Sequence, residues 1–375
     1  MKKIIFLGLA IIMLQACTGR SDKVLNTSKL QTLLDSVMER NYTESEPGAV
    51  LLIALDGNVV YSGARGVADM ETQQPIDKNT NFNIASISKQ FTAVAILQLQ
   101  EKGLLSIDHD VARYFPEFKG KMWKKVKLRH LMSQSSGVPD ARPRHDRDWM
   151  IHATDDQSME YMTLLDSLKF EPGTAYDYVN PTFVLLSRIV EKVSGEEFEQ
   201  YMQNHVFGPA QMDNVRYFGP DKDIPLMAHA YVDDPDRQWH EVDYGEETFF
   251  ATRGDGGIYT SADNMLRWEN ALRTGKVLSD STLQLAYTPQ VTVTGSKWSD
   301  YQNRENTSYG FGWFIDTTDP DNPKVYHTGD NGGFQAYVAK YPTRGLVVIM
   351  LENRNDHSRW LMQTEIERII LSCYE

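Results

Sequence analysis

Asn83-Ile84-Ala85-Ser86-Ile87-Ser88-Lys89-Gln90-Phe91-Thr92-Ala93 is the stretch on which the reading of this chain turns. The run Phe91-Thr92-Ala93-Val94-Ala95-Ile96-Leu97 continues it as a helix pattern that ends at Gly103, so a helix is predicted to start just after Ser86. Residues three apart share a helix face, which puts the Lys89 amine beside the Ser86 hydroxyl. The free N–H groups and the dipole of a helix N-terminus favour negative charge there, including a developing oxyanion. A lysine held in that positive, dehydrated setting loses proton affinity and can take the serine proton. S-x-x-K alone is common by chance, as a capping serine beside a solvated lysine. The rest of the chain has to decide.

The composition narrows the choices. With 375 residues, 41% hydrophobic and 24% charged, 25 Gly, 15 Pro and 2 Cys, the chain is ordinary globular material for one large domain or two small ones. Disorder, collagen-like repeats and a disulfide scaffold are excluded. The 38 Lys and Arg against 51 Asp and Glu give a formal charge of −13. The densest basic stretch, Lys119–Lys127 (KGKMWKKVK), reads as a solvated surface turn, so no nucleic-acid partner is expected. No G-x-S-x-G elbow, H-E-x-x-H, Walker loop or zinc-spaced Cys pair occurs. Gly254-Asp255-Gly256-Gly257 lacks the spacing of a dinucleotide fingerprint. His145, Asp146, Asp148, His152, Asp155 and Asp156 lack metal-site spacing and read as a polar surface segment. No metal or organic cofactor is implied.

The N-terminus reads as an export signal. Lys2 and Lys3 precede the apolar run Ile4 to Leu14, whose eleven residues would rise only about 16 Å as helix, against a hydrocarbon core of about 30 Å. The ending Leu14-Gln15-Ala16-Cys17 resembles the lipobox of bacterial lipoproteins, which implies cleavage after residue 16 and lipid on Cys17. Removal of residues 1–16 takes two lysines and moves the formal charge from −13 to −15. Residues 17–27 are then a lipid-anchored tether, and Cys373 has no disulfide partner. The expectation is an exported bacterial lipoprotein on the periplasm side of a membrane, held there by its N-terminal lipid.

Along the remaining chain, 28–41 repeats apolar positions at helical spacing with Ser28 available as a cap. Ala49–Leu55 and Val59–Tyr61 flank Asp56-Gly57-Asn58, a hairpin signal. Helix-like stretches occupy Leu128–Met132, Ser158–Leu168, Phe183–Val193 and Phe198–His205, and Asp233–Asp236 reads as a loop. Strand signals return near Gly310–Asp316, Val325–His327, Gln335–Tyr341 and Leu346–Leu351, before an amphipathic helix over 359–372. The pattern predicts one α+β domain over 28–375. An antiparallel sheet (about 28–80 and 250–375) would be flanked by helices, with an inserted all-helical lobe (about 86–245).

Several segments then agree in order. The Ser86 segment resembles the active-serine segment of the serine β-lactamase and penicillin-binding-protein superfamily. It is most similar to the branch holding class C β-lactamases, D-alanyl-D-alanine carboxypeptidases, D-aminopeptidases and related esterases. Leu128–Pro139 (LRHLMSQSSGVP) is similar to the family's L-x-x-L-L-x-H-x-S-G-L-P stretch, with Gln134 where His is usual. Tyr178-Val179-Asn180, preceded by Pro172-Gly173, matches Y-x-N; Gly254–Ser261 (GDGGIYTS) resembles its glycine-rich turn; His327-Thr328-Gly329, followed by Gly333-Phe334, matches the H-x-G variant of its third motif. The resemblance covers about 28–372. It implies an α/β sandwich of the β-lactamase/transpeptidase type.

It also implies roles. Ser86 would be the nucleophile. Tyr178 would act with Lys89 as general base and then return the proton to the leaving group. Asn180 would orient Lys89 and donate to the acyl side chain of the substrate. Backbone N–H groups of Ser86 and Asp330, beside Gly329, would form the oxyanion hole. His327 would hydrogen-bond Tyr178 or the substrate.

His327 stands where β-lactamases and carboxypeptidases usually carry Lys, so the fixed cation for a substrate carboxylate is missing. Arg354 and Arg359 read as surface residues that would otherwise replace it. The Asp330 charge would select against anionic leaving groups or would point to solvent. Tyr231, Trp239, Tyr244, Phe249 and Phe250 read as core packing, or at a cleft rim as a seat for a hydrophobic acyl group.

The expected activity is acyl transfer through Ser86 from a small ester, amide or thioester, with release to water or to an alcohol acceptor. The alternatives are a D-Ala-D-Ala carboxypeptidase, D-aminopeptidase or weak β-lactamase, and a non-catalytic penicillin-binding lipoprotein.

Overall fold

The computed structural model of the chain describes residues 24–143, 146–219, 223–233, 236, 238–242, 252–293, 306–355 and 359–374. Residues 1–16, Cys17, His145, Tyr244, Phe249 and Phe250 therefore lie outside the described residues.

Asp56 and Gly57 adopt φ of 50° and 86°, the left-handed pair that a two-residue hairpin turn requires and that glycine accepts without steric cost. They join Ala49–Leu55 (β1) to Asn58–Arg65 (β2). The other strands of the main sheet come from the far end of the chain: Val291–Thr292 (β3), Thr307–Tyr309 (β4), Phe314–Asp316 (β5), Lys324–Asn331 (β6), Phe334–Tyr341 (β7) and Leu346–Glu352 (β8). Among the described residues they form one eight-stranded sheet in the order β3-β4-β5-β6-β7-β8-β1-β2. Every neighbouring pair is antiparallel. The register β1 to β8 runs from Ala49 opposite Glu352 to Leu55 opposite Leu346, so the sheet is sewn together from both ends of the chain.

Strand alternation divides the core in two. Val50, Leu52 and Ala54 of β1 face one apolar cluster, while Ala49, Leu51 and Ile53 face the other; all six are fully buried. The second cluster is closed by Thr27–Asn41 (α1), through Leu30 and Leu34, and by the C-terminal helix Arg359–Ser372, through Ile366 and Ile370. The first holds Ser88–Glu101 (α2), which is buried almost end to end, and Pro181–Ser194. Each such buried Leu or Ile contributes roughly 1.5–3 kcal/mol, which explains why a helix with so little polar face is stable only inside this sandwich.

The structure corrects several local readings. Asn26, not Ser28, caps α1, accepting from the Lys29 N–H at 3.0 Å. The helix expected over 158–168 is Asp155–Thr163, because Thr154 and Gln157 form a reciprocal cap three residues upstream. The strand expected over 310–316 is only its second half, β5, because Gly310–Trp313 forms the turn that joins it to β4. The inserted lobe is not all helical: Arg216–Tyr217 and Phe82–Asn83 both pair with Ile258–Thr260, and Tyr231–Asp233 pairs with Trp239–Glu241. The sheet half also carries two helices the sequence reading does not place, Ala262–Arg273, capped by Ser261, and Asp280–Ala286, capped by Ser279.

Candidate active site

Ser86 sits in the tight turn Ala85–Ile87 that leads into α2. The turn is held from three sides. The short strand Phe82–Asn83 pairs with Ile258–Thr260, the Ile84 N–H donates to the Ile258 carbonyl at 3.0 Å, and the Ala85 N–H donates to Asn83 Oδ1 at 2.8 Å. Ala85 adopts φ of 45°, a conformation that costs an alanine energy and persists where the surroundings fix it. The turn leaves Ser86 half-buried and Lys89 fully buried.

Lys89 Nζ lies 3.0 Å from Ser86 Oγ and donates to the carbonyl oxygen of Asp255 at 2.8 Å. Thr92, three residues on along the same helix face, donates from Oγ1 to the Gly254 carbonyl at 2.7 Å. The glycine-rich turn thus offers two successive carbonyls to α2, a role the sequence reading leaves unassigned. Burial pushes the Lys89 amine down to about 7; the Asp255 carboxylate works against this, and the Arg142 guanidinium reinforces it. Arg142 is itself buried and grips Asp140 with Nε and Nη2, each at 2.9 Å.

The acidic groups under the turn are buried as well. Asp155 is not part of a polar surface segment: it is buried and accepts the Arg253 N–H at 3.0 Å. Burial pushes its carboxyl up to about 7, the Arg253 N–H holds it back, and the Asp255 charge adds to the rise. Among the described residues, no group of three or more His, Cys, Asp or Glu is placed to hold a metal ion.

The Tyr178 ring centroid lies 5.0 Å from Lys89 Nζ, and the Phe183 ring 5.7 Å. Gln134, buried with φ of 55°, clamps the chain on both sides of Tyr178: its main-chain carbonyl accepts the Asp177 N–H at 2.9 Å and its Oε1 accepts the Val179 N–H at 2.8 Å. The departure from His at this position therefore keeps an acceptor side chain. Asn180 immediately precedes Pro181–Ser194, with Pro181 at the first helical position. Lys89 is held by the Asp255 carbonyl, and the Asn180 Oδ1 is buried without a hydrogen-bond partner.

His327 and Gly329 lie on β6, of which β5 covers only Lys324–Tyr326. Gly329 is there for approach: a Cβ would meet the Ile84 carbonyl oxygen at 2.2 Å and the Ala85 Cβ at 3.2 Å. This contact brings β6 against the Ser86 turn, with Asp330 the next residue. His327 is buried; its Nδ1 lies 2.7 Å from the Thr328 carbonyl and its Nε2 2.9 Å from the Tyr309 hydroxyl. A carbonyl only accepts, so Nδ1 carries a hydrogen, while Nε2 and the Tyr309 hydroxyl share a hydrogen bond in which either can donate. Its ring lies 6.4 Å from that of Tyr178.

The two arginines expected at the surface are inside. Arg359 Nη1 donates to the Gly329 carbonyl at 3.0 Å and to Asp330 Oδ1 at 2.5 Å. Arg354 donates to the Pro47 carbonyl at 3.0 Å and lies over the Trp239 ring. Their sites fill with backbone acceptors that only a folded chain assembles, so nothing local marks them. Tyr231 is core, its hydroxyl accepting the Met70 N–H at 2.9 Å.

The beta-lactamase family profile matches residues 31–368 of the chain. Penicillin-binding protein 4* of Bacillus subtilis (strain 168) is 29% identical over 359 residues, 92% of this chain and 74% of that protein. The crystal structure of a penicillin binding protein from Bacillus halodurans superimposes with a TM-score of 0.77 at 28% identity, covering 90% of this chain and 98% of the other. EstCE1, a hydrolase with promiscuous acyltransferase activity, superimposes with a TM-score of 0.76 over 92% of this chain and 99% of its own, at 23% identity, a likeness of fold.

Proposed function

This chain belongs to the beta-lactamase family, and from that membership we propose that it is a serine acyl-transfer enzyme working through Ser86. The substrate is a small ester, amide or thioester, and the acyl group leaves to water or to an alcohol. The observation that carries this reading is the fully buried Lys89 amine 3.0 Å from Ser86 Oγ.

With its proton affinity lowered to about 7, Lys89 is substantially neutral at neutral pH and can accept the serine proton. Oγ then attacks the acyl carbon, and the carbonyl oxygen takes up negative charge between the N–H groups of Ser86 and Asp330. Collapse expels the leaving alcohol, amine or thiol, which receives the proton through Lys89 and Tyr178. Water or an alcohol repeats the sequence in reverse, giving acid or new ester. Asn180 donates from its side-chain amide to the acyl side chain of the substrate.

The substrate reading rests on charge. His327 brings a buried imidazole, bonded to Tyr309 and the Thr328 carbonyl, where a lysine would bring a fixed cation, and Arg359 is engaged by Asp330. This favours uncharged acyl compounds over penicillins or peptides ending in a carboxylate. The second reading is a D-Ala-D-Ala carboxypeptidase, D-aminopeptidase or weak β-lactamase, in keeping with membership of the beta-lactamase family. A purely binding role would leave Lys89 without a task. We further infer that Cys17 carries lipid and holds the enzyme at the periplasm side of a membrane. No helix among the described residues is long and apolar enough to cross one.

The test is intact mass of the protein mixed with an activated short-chain acyl ester, with Ser86→Ala alongside, repeated with added alcohol. An adduct or turnover lost in Ser86→Ala is expected, and new ester in the alcohol sample assigns transfer. Folded protein that gives neither adduct nor turnover would overturn the reading.

A further inference from the structure

A cavity of about 300 Å³ opens between Ala262–Arg273, Asp280–Ala286 and the facing ends of β7 and β8, with the Gly57 turn on its rim. None of Ser86, Lys89, Tyr178, Asn180 or His327 lines it. Leu272, Leu283, Tyr287 and Val347 give it mostly apolar walls. Four charged residues line it: Arg273 and Asp280 at its exposed edge, and Glu269 and Lys340, both buried.

Their pairing is incomplete. Lys340 Nζ donates to Glu269 Oε2 at 2.8 Å, with side-chain exposures of 9% and 3%. The same ammonium lies 4.8 Å from the Tyr287 ring centroid and 5.0 Å from that of Trp313. Its charge is therefore matched by one carboxylate oxygen and two aromatic faces. Glu269 Oε1, by contrast, is buried and accepts no hydrogen bond. A buried carboxylate oxygen without a donor is a costly arrangement, and it stands at the wall of a space large enough for a small molecule.

We propose that this cavity is a second binding site for a small uncharged molecule with an apolar body and one hydroxyl or amide N–H aimed at Glu269 Oε1. The charge argument sets the class. Glu269 and Lys340 sum to zero, as do Arg273 and Asp280 at the edge, so a ligand cation would meet the ammonium and an anion would meet the bare carboxylate oxygen; a neutral donor meets neither penalty. The apolar walls reward a ring or branched chain behind that donor.

The probe is 4-fluorobenzyl alcohol, followed by its fluorine NMR signal on the purified full chain. 4-Fluorotoluene, lacking the donor, and 4-fluorobenzoate, an anion, serve as comparisons. Saturable binding near about 1 mM is expected, ordinary for a fragment of this size. Leu283→Trp and Val347→Trp, each filling the cavity, should weaken it by about tenfold or more, and 4-fluorotoluene should bind about tenfold more weakly. Acylated Ser86 should leave it unchanged, which separates this cavity from the catalytic one. Shifts of the Leu272 and Leu283 methyl resonances in the unsubstituted protein locate the probe even where a filled variant fails to fold. Absence of saturable binding, equal binding by 4-fluorotoluene, or methyl resonances that stay in place would each overturn the proposal.

Discussion

The Nζ of Lys89 reaches the carbonyl oxygen of Asp255 at 2.8 Å. That acceptor is a neutral dipole, so it anchors the amine without fixing a proton on it as a directly bonded carboxylate would. Burial then decides the protonation state, and Lys89 is held at about 7.

Activity should follow that proton. Below the midpoint the amine is an ammonium and cannot accept from Ser86, so kcat/KM should rise with pH through about 7. On the acid side it should fall about tenfold per pH unit. Asp155, whose carboxyl is also pushed up to about 7, titrates in the same window. Asp155→Asn keeps an acceptor for the Arg253 N–H and should leave the midpoint in place. A flat profile from about pH 5.5 to about 8.5 would remove Lys89 from the role of base.

Two buried charges should move that midpoint in opposite directions. The Arg142 guanidinium helps to lower Lys89 and the Asp255 carboxylate opposes it. Arg142→Met should shift the pH–rate midpoint up, and Asp255→Asn should shift it down while its backbone carbonyl still holds Nζ. Profiles of both variants that shift the same way would sink the electrostatic account.

Gly329→Ala should separate β6 from the nucleophile turn. The added methyl would meet the Ile84 carbonyl oxygen at 2.2 Å, and backbone cannot swing aside as a side chain can. A displacement near 1 Å at the reacting groups is worth about a hundredfold in rate. The overpacking should cost about 1–3 kcal/mol of stability. Acylation rates and thermal unfolding measured together check both; a variant with the unsubstituted rate contradicts the placement.

Gln134→Ala would strand the Val179 N–H in a dry site, at about 1–3 kcal/mol. Because Val179 follows Tyr178 directly, kcat should fall more than KM rises. Gln134→His, which again offers an acceptor, should recover much of the loss. Equal kcat in the Ala and His variants would show that the clamp does not position Tyr178.

Arg359→Met leaves the Asp330 carboxylate unmatched beside the N–H groups proposed to bind the substrate carbonyl and should slow acylation. Adding Asp330→Asn should restore part of the rate, a non-additivity that a double-mutant cycle reads directly. Additive losses would mean that the 2.5 Å pair has no bearing on the reaction.

The sequence revealed what is local. The Ser86–Lys89 spacing, the Asp56-Gly57 turn and the long strands near the C-terminus are written in three- and two-residue periods that any window exposes. Partners from distant segments were not legible. Nothing near Lys89 announces that Asp255 will supply its carbonyl, and nothing near Arg359 announces that the Gly329 carbonyl awaits it inside the protein. Gln134 shows the same limit: it stood out as a departure, but its purpose needed the position of Val179. Caps decided the helix boundaries, and there Asn26 and Thr154 outcompeted neighbours of similar chemistry.

The pairing of β1 with β8 has a consequence for how the folded chain comes into being. Ala49 must wait for Glu352 before the β1–β2 hairpin can join the rest of the sheet, and the Ser86 turn must wait for Gly329 before it has a wall to press against. Contacts so distant along the chain make for slow assembly. A chain truncated before β8 would lack the partner of β1, so the reactivity proposed for Ser86 is expected only once the last strands are in place.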